Sequence, residues 1–203
     1  MLVTALLVGG GFLAVLVTGG DGGDGEDAAA VPGNASADAG FARDMAVHHQ
    51  QAVEMSLIVR DRTDDEDVRR LAYDILNTQA NQRGMLLGWL DMWKLPKTTA
   101  EPPMSWMGHD MSFEPHDGAL MPGMATNTQL DRLRRETGED AEVLFLTLMT
   151  EHHRGGVTMS RMAESAAGTP AVRRLAKTMT LGQRSEIKLM KGMIDERGGT
   201  AKP

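Results

Sequence analysis

The chain of 203 residues contains no cysteine, and its aromatic content is only 4%. Without cysteine there is no disulfide framework, no thiolate zinc site, no thiol nucleophile and no lipid-modified cysteine anchor. Positive charge is also scarce, since 21 Lys and Arg residues stand against 28 Asp and Glu, for a net charge of −7. A nucleic-acid-binding protein needs a basic surface to meet phosphates, so this class is excluded.

Common catalytic motifs are missing as well. The chain has no phosphate-binding loop, no Gly-x-Ser-x-Gly and no recognisable Ser-His-Asp arrangement. Glu-x-x-His is also absent, and a di-iron oxidase requires that motif twice. What the chain has in excess is methionine, at 16 residues, together with six histidines that fall in close pairs. These pairs are His48 and His49, His109 and His116, and His152 and His153.

Residues 1–18 are predicted to be a signal peptide or a membrane anchor. Residues 2–18 are uncharged and apolar, which suits a signal-peptide core and is slightly short for a membrane span of roughly 20 residues. Residues 19–37, with their many Gly and Asp residues, are predicted to be a flexible linker. We therefore expect an extracytoplasmic protein, at the cell surface or secreted, and we favour a membrane tether through residues 2–18.

Residues 38–197 are predicted to be all-α, because no stretch alternates apolar and polar residues as a strand would. Ser36 or Asp38 can cap the first helix, which is predicted to run to about Asp61. Thr63 with Glu66 forms a capping box for the second, which is predicted to run to Leu95 and to stop before Pro96. Further helices are predicted over residues 128–136, 139–167 and 170–198, the last with Thr169 as N-cap and Pro170 at its first position.

The chain contains an internal repeat. Residues 41–91 align with residues 145–195 without a gap, at a constant offset of 104 positions. Each copy is predicted to be a helical hairpin, over residues 38–96 and 139–197, joined by a Met-rich crossover over residues 97–138. Because one hairpin cannot bury its apolar stripe alone, we expect the two to close into a four-helix bundle.

The histidine pairs of the repeat lie on the predicted packing faces. Spacings of three and four residues place His48 and His152 in the buried seam, whereas His49 and His153 lie about 100° further round, at its flank. Methionines stand three residues before and seven residues after each seam histidine: Met45, Met55, Met149 and Met159. Polar residues interrupt the seams of the second helices at Gln79, Gln82, Gln183 and Glu186.

Two interpretations of this polar layer are open. A buried imidazole or amide is costly unless it is hydrogen-bonded or bound to a ligand. In the first interpretation the histidines bond to the glutamines and to Glu186, and so only set the register of the helices. In the second they bind a metal ion. Imidazole combined with thioether favours copper, chiefly copper(I), although other transition metals also suit imidazole.

The crossover offers a second candidate site, because soft thioethers are concentrated there in a chain without thiolates. The alternative is that this segment covers the open end of the bundle, with methionine filling gaps. The candidate ligands are Met104, Met107, His109, Met111, His116, Met121 and Met124. Other methionines are predicted to be ordinary core: Met85, Met92, Met162, Met179, Met190 and Met193.

The doubled Met-x2-His-His segments, with Gln183-x2-Glu186 and the Met121-Pro122-Gly123-Met124 stretch, resemble the domain-of-unknown-function family numbered 305. This resemblance implies a ferritin-like four-helix bundle, exported or membrane-tethered, with copper binding in some members. The residues that it implies for the site are Met45, His48, His49, Met149, His152, His153, Gln183 and Glu186. Gln82 stands where the family pattern has a glutamate, which argues against a symmetric two-metal site.

We therefore expect an exported protein that binds copper(I) for buffering, storage or handover, without catalysis. His48, His152 and their flanking methionines are the predicted ligands, and His49, His153, Gln79, Gln183 and Glu186 are alternative ligands or ring-orienting partners. The alternative function is a metal-free interaction module that docks on a membrane or envelope protein complex. A redox enzyme that uses bound copper or iron is a third, less favoured function.

Overall fold

A computed structural model describes residues 31–108 and 113–199. The predicted signal peptide or anchor, most of the predicted linker, His109 and Met111 lie outside these residues. The helices are α1 (Ala37–Arg60), α2 (Glu66–Met92), α3 (Asn127–Arg135), α4 (Gly138–Ala166) and α5 (Pro170–Glu196), with one 3-10 turn at Ser105–Met107.

The prediction of an all-α chain is confirmed. Within residues 31–108 and 113–199 the only extended pairing is an isolated bridge between His116 and Ala119. None of the helices described there combines the length and the apolar character that crossing a membrane requires.

The helix ends fall within three residues of the predicted positions, but one local prediction was wrong. Asp65, not Thr63, is the N-cap of α2, and its Oδ1 accepts from the N–H groups of Asp67 and Val68. Thr63 instead accepts from the N–H of Asp65 at 2.9 Å, so its hydroxyl shapes the preceding turn. Ser36 caps α1 as predicted, because its Oγ accepts from the N–H of Ala39.

The four long helices form two hairpins, α1–α2 and α4–α5, which pack against each other mainly along α1 and α4. Helices α2 and α5 do not pack closely against each other. Buried apolar residues form two clusters, one around Phe41 and Val172 and the other around Phe145 and Val68. Along α1, His48 and His49 lie between these clusters. A polar layer therefore divides the apolar core.

The start of each hairpin is bonded to the turn of the other. The buried carboxylate of Asp38, near the start of α1, accepts at 2.8 Å from the N–H groups of both Gly168 and Thr169, between α4 and α5. Glu142, at the position 104 residues later, accepts from the Thr63 hydroxyl in the turn between α1 and α2. These bonds fix how far one hairpin slides along the other.

The crossover runs over α1 and α4 and is held on both. The side-chain amide of Gln51 donates to the carbonyl of Ala125 at 2.8 Å and accepts from its N–H at 2.7 Å. On α4, Gly155 leaves so little space that a Cβ atom there would lie 2.0 Å from the Pro122 carbonyl oxygen. Earlier in the crossover, Asp44 Oδ2 accepts from the Met104 N–H. The segment is therefore a packed part of the fold.

The prediction of core positions was wrong for two methionines on α2. Met85 is 48% exposed and Met92 is 75% exposed, because no other described element covers this face of α2. Met162 is partly buried against the cluster around Phe41. Met179, Met190 and Met193 are buried as predicted.

Candidate metal centre

Four histidines from two helices form the centre of the polar layer. α1 contributes His48 and His49, and α4 contributes His152 and His153, all with 0% of their surface exposed. His49 and His153 were predicted to lie at the flank of the seam, but they are buried as completely as the seam histidines, so this prediction was wrong. They are fully buried because each ring reaches toward the second helix of its own hairpin, where it finds a polar partner.

The two seam histidines contact each other. The ring centroids of His48 and His152 are 3.7 Å apart, with 33° between the ring planes. His152 Nε2 lies 3.0 Å from the backbone carbonyl oxygen of His48, and only a protonated Nε2 can donate there. This bond assigns the Nε2–H tautomer to His152 and leaves a lone pair on its Nδ1.

The two outer histidines have equivalent partners of different charge. His49 Nε2 lies 2.8 Å from Gln82 Oε1, and His153 Nε2 lies 2.7 Å from Glu186 Oε2. Because the Gln82 oxygen accepts from Nε2–H of His49, the Nδ1 atom of the His49 ring carries a lone pair, and Nδ1 of His153 has no hydrogen-bond partner. Gln82 and Glu186, predicted to be part of the buried stripe, are only partly buried, and the Glu186 side chain is 26% exposed.

Many buried polar atoms of the layer have no hydrogen-bond partner. They include Nδ1 of all four histidines and Nε2 of His48. The side-chain oxygen and nitrogen atoms of Gln79 and Gln183 are likewise buried and unpaired. The first interpretation, in which these glutamines satisfy the seam histidines, therefore leaves most of the layer unsatisfied. Such groups carry a desolvation penalty of about 1–3 kcal/mol each.

Burial keeps the imidazoles of His48, His49 and His152 neutral. Desolvation, reinforced by the neighbouring His49 and His153, lowers the pKa of His48 to about 3. Desolvation also lowers the pKa of His49 to about 3, against the opposing bond to Gln82. The pKa of His152 is lowered well below its usual value by the same burial and by the adjacent His48. Neutral rings are the form in which histidine binds a metal.

Methionines lie on both sides of the histidine layer. Met45 and Met159 belong to the cluster around Phe41, and Met55 and Met149 belong to the cluster around Phe145. All four are at most 1% exposed. The prediction that they lie on the buried face of their helices is confirmed.

The donor set fits a soft metal ion, although the side chains do not surround a common point. Among residues 31–108 and 113–199, no group of three His, Asp or Glu side chains is arranged to hold an ion. The contact between the His48 and His152 rings explains this, since ring nitrogens of stacked imidazoles do not converge. Coordination would therefore require the rings to rotate. No hydrogen bond opposes rotation of the His48 ring, because both of its nitrogens are unpaired.

The Met-rich crossover contributes to the core rather than gathering its donors. Met104, Met107 and Met121 are buried in the cluster around Phe41, as expected for a segment that covers one end of the helices. His116 is exposed and its Nδ1 bonds to the Glu114 carbonyl, while Met124 is partly buried. The described members of this second candidate site therefore do not come together as one ligand set.

Two more residues border the layer, and the sequence analysis missed the role of one of them. The missed residue is Pro122, whose carbonyl lies beside His48 without completing a hydrogen bond to it. The other is Gly156 on α4, which makes room for Gln183, because a Cβ atom at this position would lie 2.3 Å from Gln183 Oε1. The adjacent glycines at 155 and 156 inside a predicted helix indicate a close approach beside His152, and the contact of Gly156 with Gln183 confirms it.

Comparison with known proteins gives the following relationships. A family model described as a domain of unknown function (DUF305) matches residues 38–194. A DUF305 protein from Streptomyces coelicolor, described as secreted, is 56% identical over 84% of this chain and 99% of its own, with a TM-score of 0.77. A DUF305 fragment from Deinococcus radiodurans is 30% identical over 79% of this chain and 96% of its own, with a TM-score of 0.64.

A more distant likeness is to CopM in its Cu(I)-bound form. CopM is 21% identical over 80% of this chain and 98% of its own, with a TM-score of 0.62, and at this identity the likeness concerns the fold alone. Other structures of CopM hold Cu(II) or silver. No curated protein matches this chain. The family model and the two DUF305 structures establish that the chain belongs to the DUF305 family.

Proposed function

We propose that this protein binds copper(I) in the buried histidine layer, for buffering, storage or handover outside the cytoplasm. The observation that carries the proposal is the set of neutral, fully buried imidazoles with unpaired nitrogens. His49 and His152 each use Nε2–H in a hydrogen bond and keep the Nδ1 lone pair, while Nδ1 of His153 has no hydrogen-bond partner. His48, with neither nitrogen bonded, adds a further lone pair.

The methionines support copper(I) over harder ions. Thioether sulfur is a soft donor that selects Cu(I), whereas zinc sites rely on thiolate, imidazole and carboxylate. Met45, Met55, Met149 and Met159 supply thioethers on both sides of the layer. The chain has no cysteine, so methionine and histidine are its available soft ligands. CopM, which shares the fold, binds Cu(I) and silver, two ions of this kind.

In the proposed site, His48, His152 and the four flanking methionines are the ligands. Gln82 and Glu186 orient His49 and His153 through their Nε2–H groups, which directs each Nδ1 lone pair away from these partners. The amides of Gln79 and Gln183 lie at the same level and have unpaired oxygens available as further ligands.

An extracytoplasmic location is supported by the Streptomyces relative that is described as secreted, at 56% identity. We propose that residues 2–18 direct export and tether the protein to the membrane. Fractionation of cells that express the full chain, beside a variant lacking residues 2–18, tests this. Recovery of the full chain in the cytoplasmic fraction would contradict the proposal.

Copper(I) binding is tested by anaerobic titration of the full chain against a chromogenic Cu(I) chelator. We expect the parent protein to withdraw copper from the chelator and the His48→Ala/His152→Ala variant to lose this capacity. His116→Ala is the matched control, because His116 is exposed and is not a ligand in the proposed site of the buried layer. Far-UV circular dichroism of each variant checks that the helices are retained.

The thioethers are tested by exchanging methionine for leucine, which conserves volume and costs less than about 1.5 kcal/mol in a core. The Met45→Leu/Met149→Leu variant is expected to bind Cu(I) at least ten-fold more weakly. Met179→Leu is the control, since Met179 is buried in the same cluster as Met45 but is not a predicted ligand.

Three results would contradict the proposed site. Copper binding retained by the double histidine variant would place the ion elsewhere, with the Met-rich crossover as the next candidate. Unchanged affinity in the Met45→Leu/Met149→Leu variant would remove the thioethers from the ligand set. A parent protein that withdraws no copper would refute metal binding and leave the polar layer as a register-setting device in an interaction module.

A further inference from the structure

Access to the histidine layer is closed along the helix axes and on the α1–α4 side. The two apolar clusters lie above and below the layer, and their central residues are almost completely buried. On the α1–α4 side the crossover covers the layer, with the Pro122 carbonyl beside both His48 and Gly155. The paired bonds between Gln51 and the Ala125 backbone hold this cover in place.

The remaining side is formed by α2 and α5, the two long helices that do not pack closely against each other. Four polar residues of these helices lie at the level of the histidines. Gln79 and Gln183 are 2% and 4% exposed and carry unpaired amide groups. Gln82 and Glu186 lie further out, each bonded to an outer histidine and each partly exposed.

Glu186 differs from the other polar residues of this side in its charge. Among the residues that the structure describes, it is the one carboxylate bonded to a histidine of the layer, through the 2.7 Å contact of its Oε2 with His153 Nε2. The side chain of His153 is 0% exposed and that of Glu186 is 26% exposed. Glu186 and Gln82 both connect solvent to a buried imidazole, and of these two residues Glu186 offers a negative charge to an arriving cation.

We infer that Glu186 is the entrance residue through which a metal cation reaches the histidine layer, between α2 and α5. The carboxylate attracts the cation and replaces part of its solvation, while the unpaired amides of Gln79 and Gln183 offer the next oxygen donors inward. Glu186 therefore governs the rate of metal uptake more than the final affinity. This inference rests on the proposed copper(I) site and adds its direction of access.

The variant Glu186→Gln isolates the charge. The chain already holds a His–Gln pair at the equivalent position, His49 with Gln82, so glutamine can keep the bond to His153 and the fold. Glu164→Gln is the control, because it removes one carboxylate from α4 about three turns away from His153. Cu(I), supplied as its acetonitrile complex without oxygen, is mixed with each protein in a stopped-flow instrument, and the ultraviolet absorbance of bound copper is recorded.

We expect Glu186→Gln to slow association about ten-fold, at the lower limit of electrostatic steering effects. Because an entrance residue acts on association and dissociation alike, the Kd from chelator competition should stay within about three-fold of the parent value. Added salt should slow association of the parent and of Glu164→Gln, and have less effect on Glu186→Gln.

Two outcomes would overturn the inference. Association of Glu186→Gln at the parent rate would show that the cation enters by another path. A Kd weakened ten-fold or more with an unchanged association rate would make Glu186 a ligand and not an entrance residue. Failure of the parent to bind Cu(I) at all would instead refute the proposed function, so the two failures are distinguishable.

Discussion

Replacement of Gly155 by alanine tests how closely the crossover is packed on α4. Alanine normally stabilises a helix interior by about 1 kcal/mol relative to glycine. At position 155, however, a Cβ atom would lie 2.0 Å from the Pro122 carbonyl oxygen and 2.8 Å from its carbonyl carbon. Since both are backbone atoms, no side-chain rotation relieves the contact and the crossover itself must move.

These contacts determine the expected loss of stability. A carbon–oxygen contact needs about 3.3 Å, so the Pro122 carbonyl must withdraw by more than about 1 Å. Overpacking of this kind costs about 1–3 kcal/mol. The displacement also weakens the two bonds between Gln51 and Ala125, worth about 1 kcal/mol each. Against a helix gain of about 1 kcal/mol, we expect a net destabilisation of about 2–3 kcal/mol.

The assay is urea denaturation of the metal-free protein, followed by far-UV circular dichroism. Gly84→Ala is the matched control, because Gly84 lies in α2 and a Cβ atom there meets nothing within 4 Å. This control should gain about 1 kcal/mol, which separates the two variants by about 3–4 kcal/mol. If Gly155→Ala were stabilised as much as Gly84→Ala, the described packing of the crossover on α4 would be refuted.

Three further predictions concern the metal-free protein. As the pH is lowered from 6 to 4.5, its free energy of unfolding should decrease by about 1.4 kcal/mol per pH unit for each histidine of lowered pKa. The reason is that the unfolded chain takes up protons that the folded chain excludes. Acid titration monitored by urea denaturation measures this slope, which His48→Asn should reduce and His116→Asn should not. Asp38→Ala should cost about 2 kcal/mol through its two lost bonds, whereas exposed Asp64→Ala should change stability by less than about 0.5 kcal/mol in the same assay. Gln51→Ala should lower the free energy of unfolding by about 2 kcal/mol and make the crossover more susceptible to proteolysis. Proteolysis at the rate of the parent would show that Gln51 does not hold the crossover on α1.

The helical character of the chain could be predicted from the sequence because it depends on local signals. The spacings of three and four residues placed Phe41, Met45 and His48 on one face, and all three are 0% exposed. Ser36 could be identified as a cap because capping involves groups only a few residues apart. The end of α2 was placed three residues too far along, since helix ends are the least constrained part of such a pattern.

Exposure of particular methionines could not be predicted. Met85 and Met92 follow the same apolar spacing as buried residues, yet they are exposed because nothing among the described elements packs on that face of α2. A periodic pattern gives the direction of a side chain relative to its own helix. Whether another element lies in that direction depends on how the hairpins and the crossover assemble.

The sequence by itself determined that the chain is helical, that histidines and methionines share buried faces, and that a carboxylate stands at position 186 where an amide stands at position 82. Only the tertiary structure decided that His48 contacts His152, that His49 and His153 are as deeply buried, and that the crossover closes one side of their layer. The physical reason is one of range: helix periodicity acts over a few residues, whereas the burial of an imidazole and the partners of its nitrogens depend on segments 33 to 104 residues away.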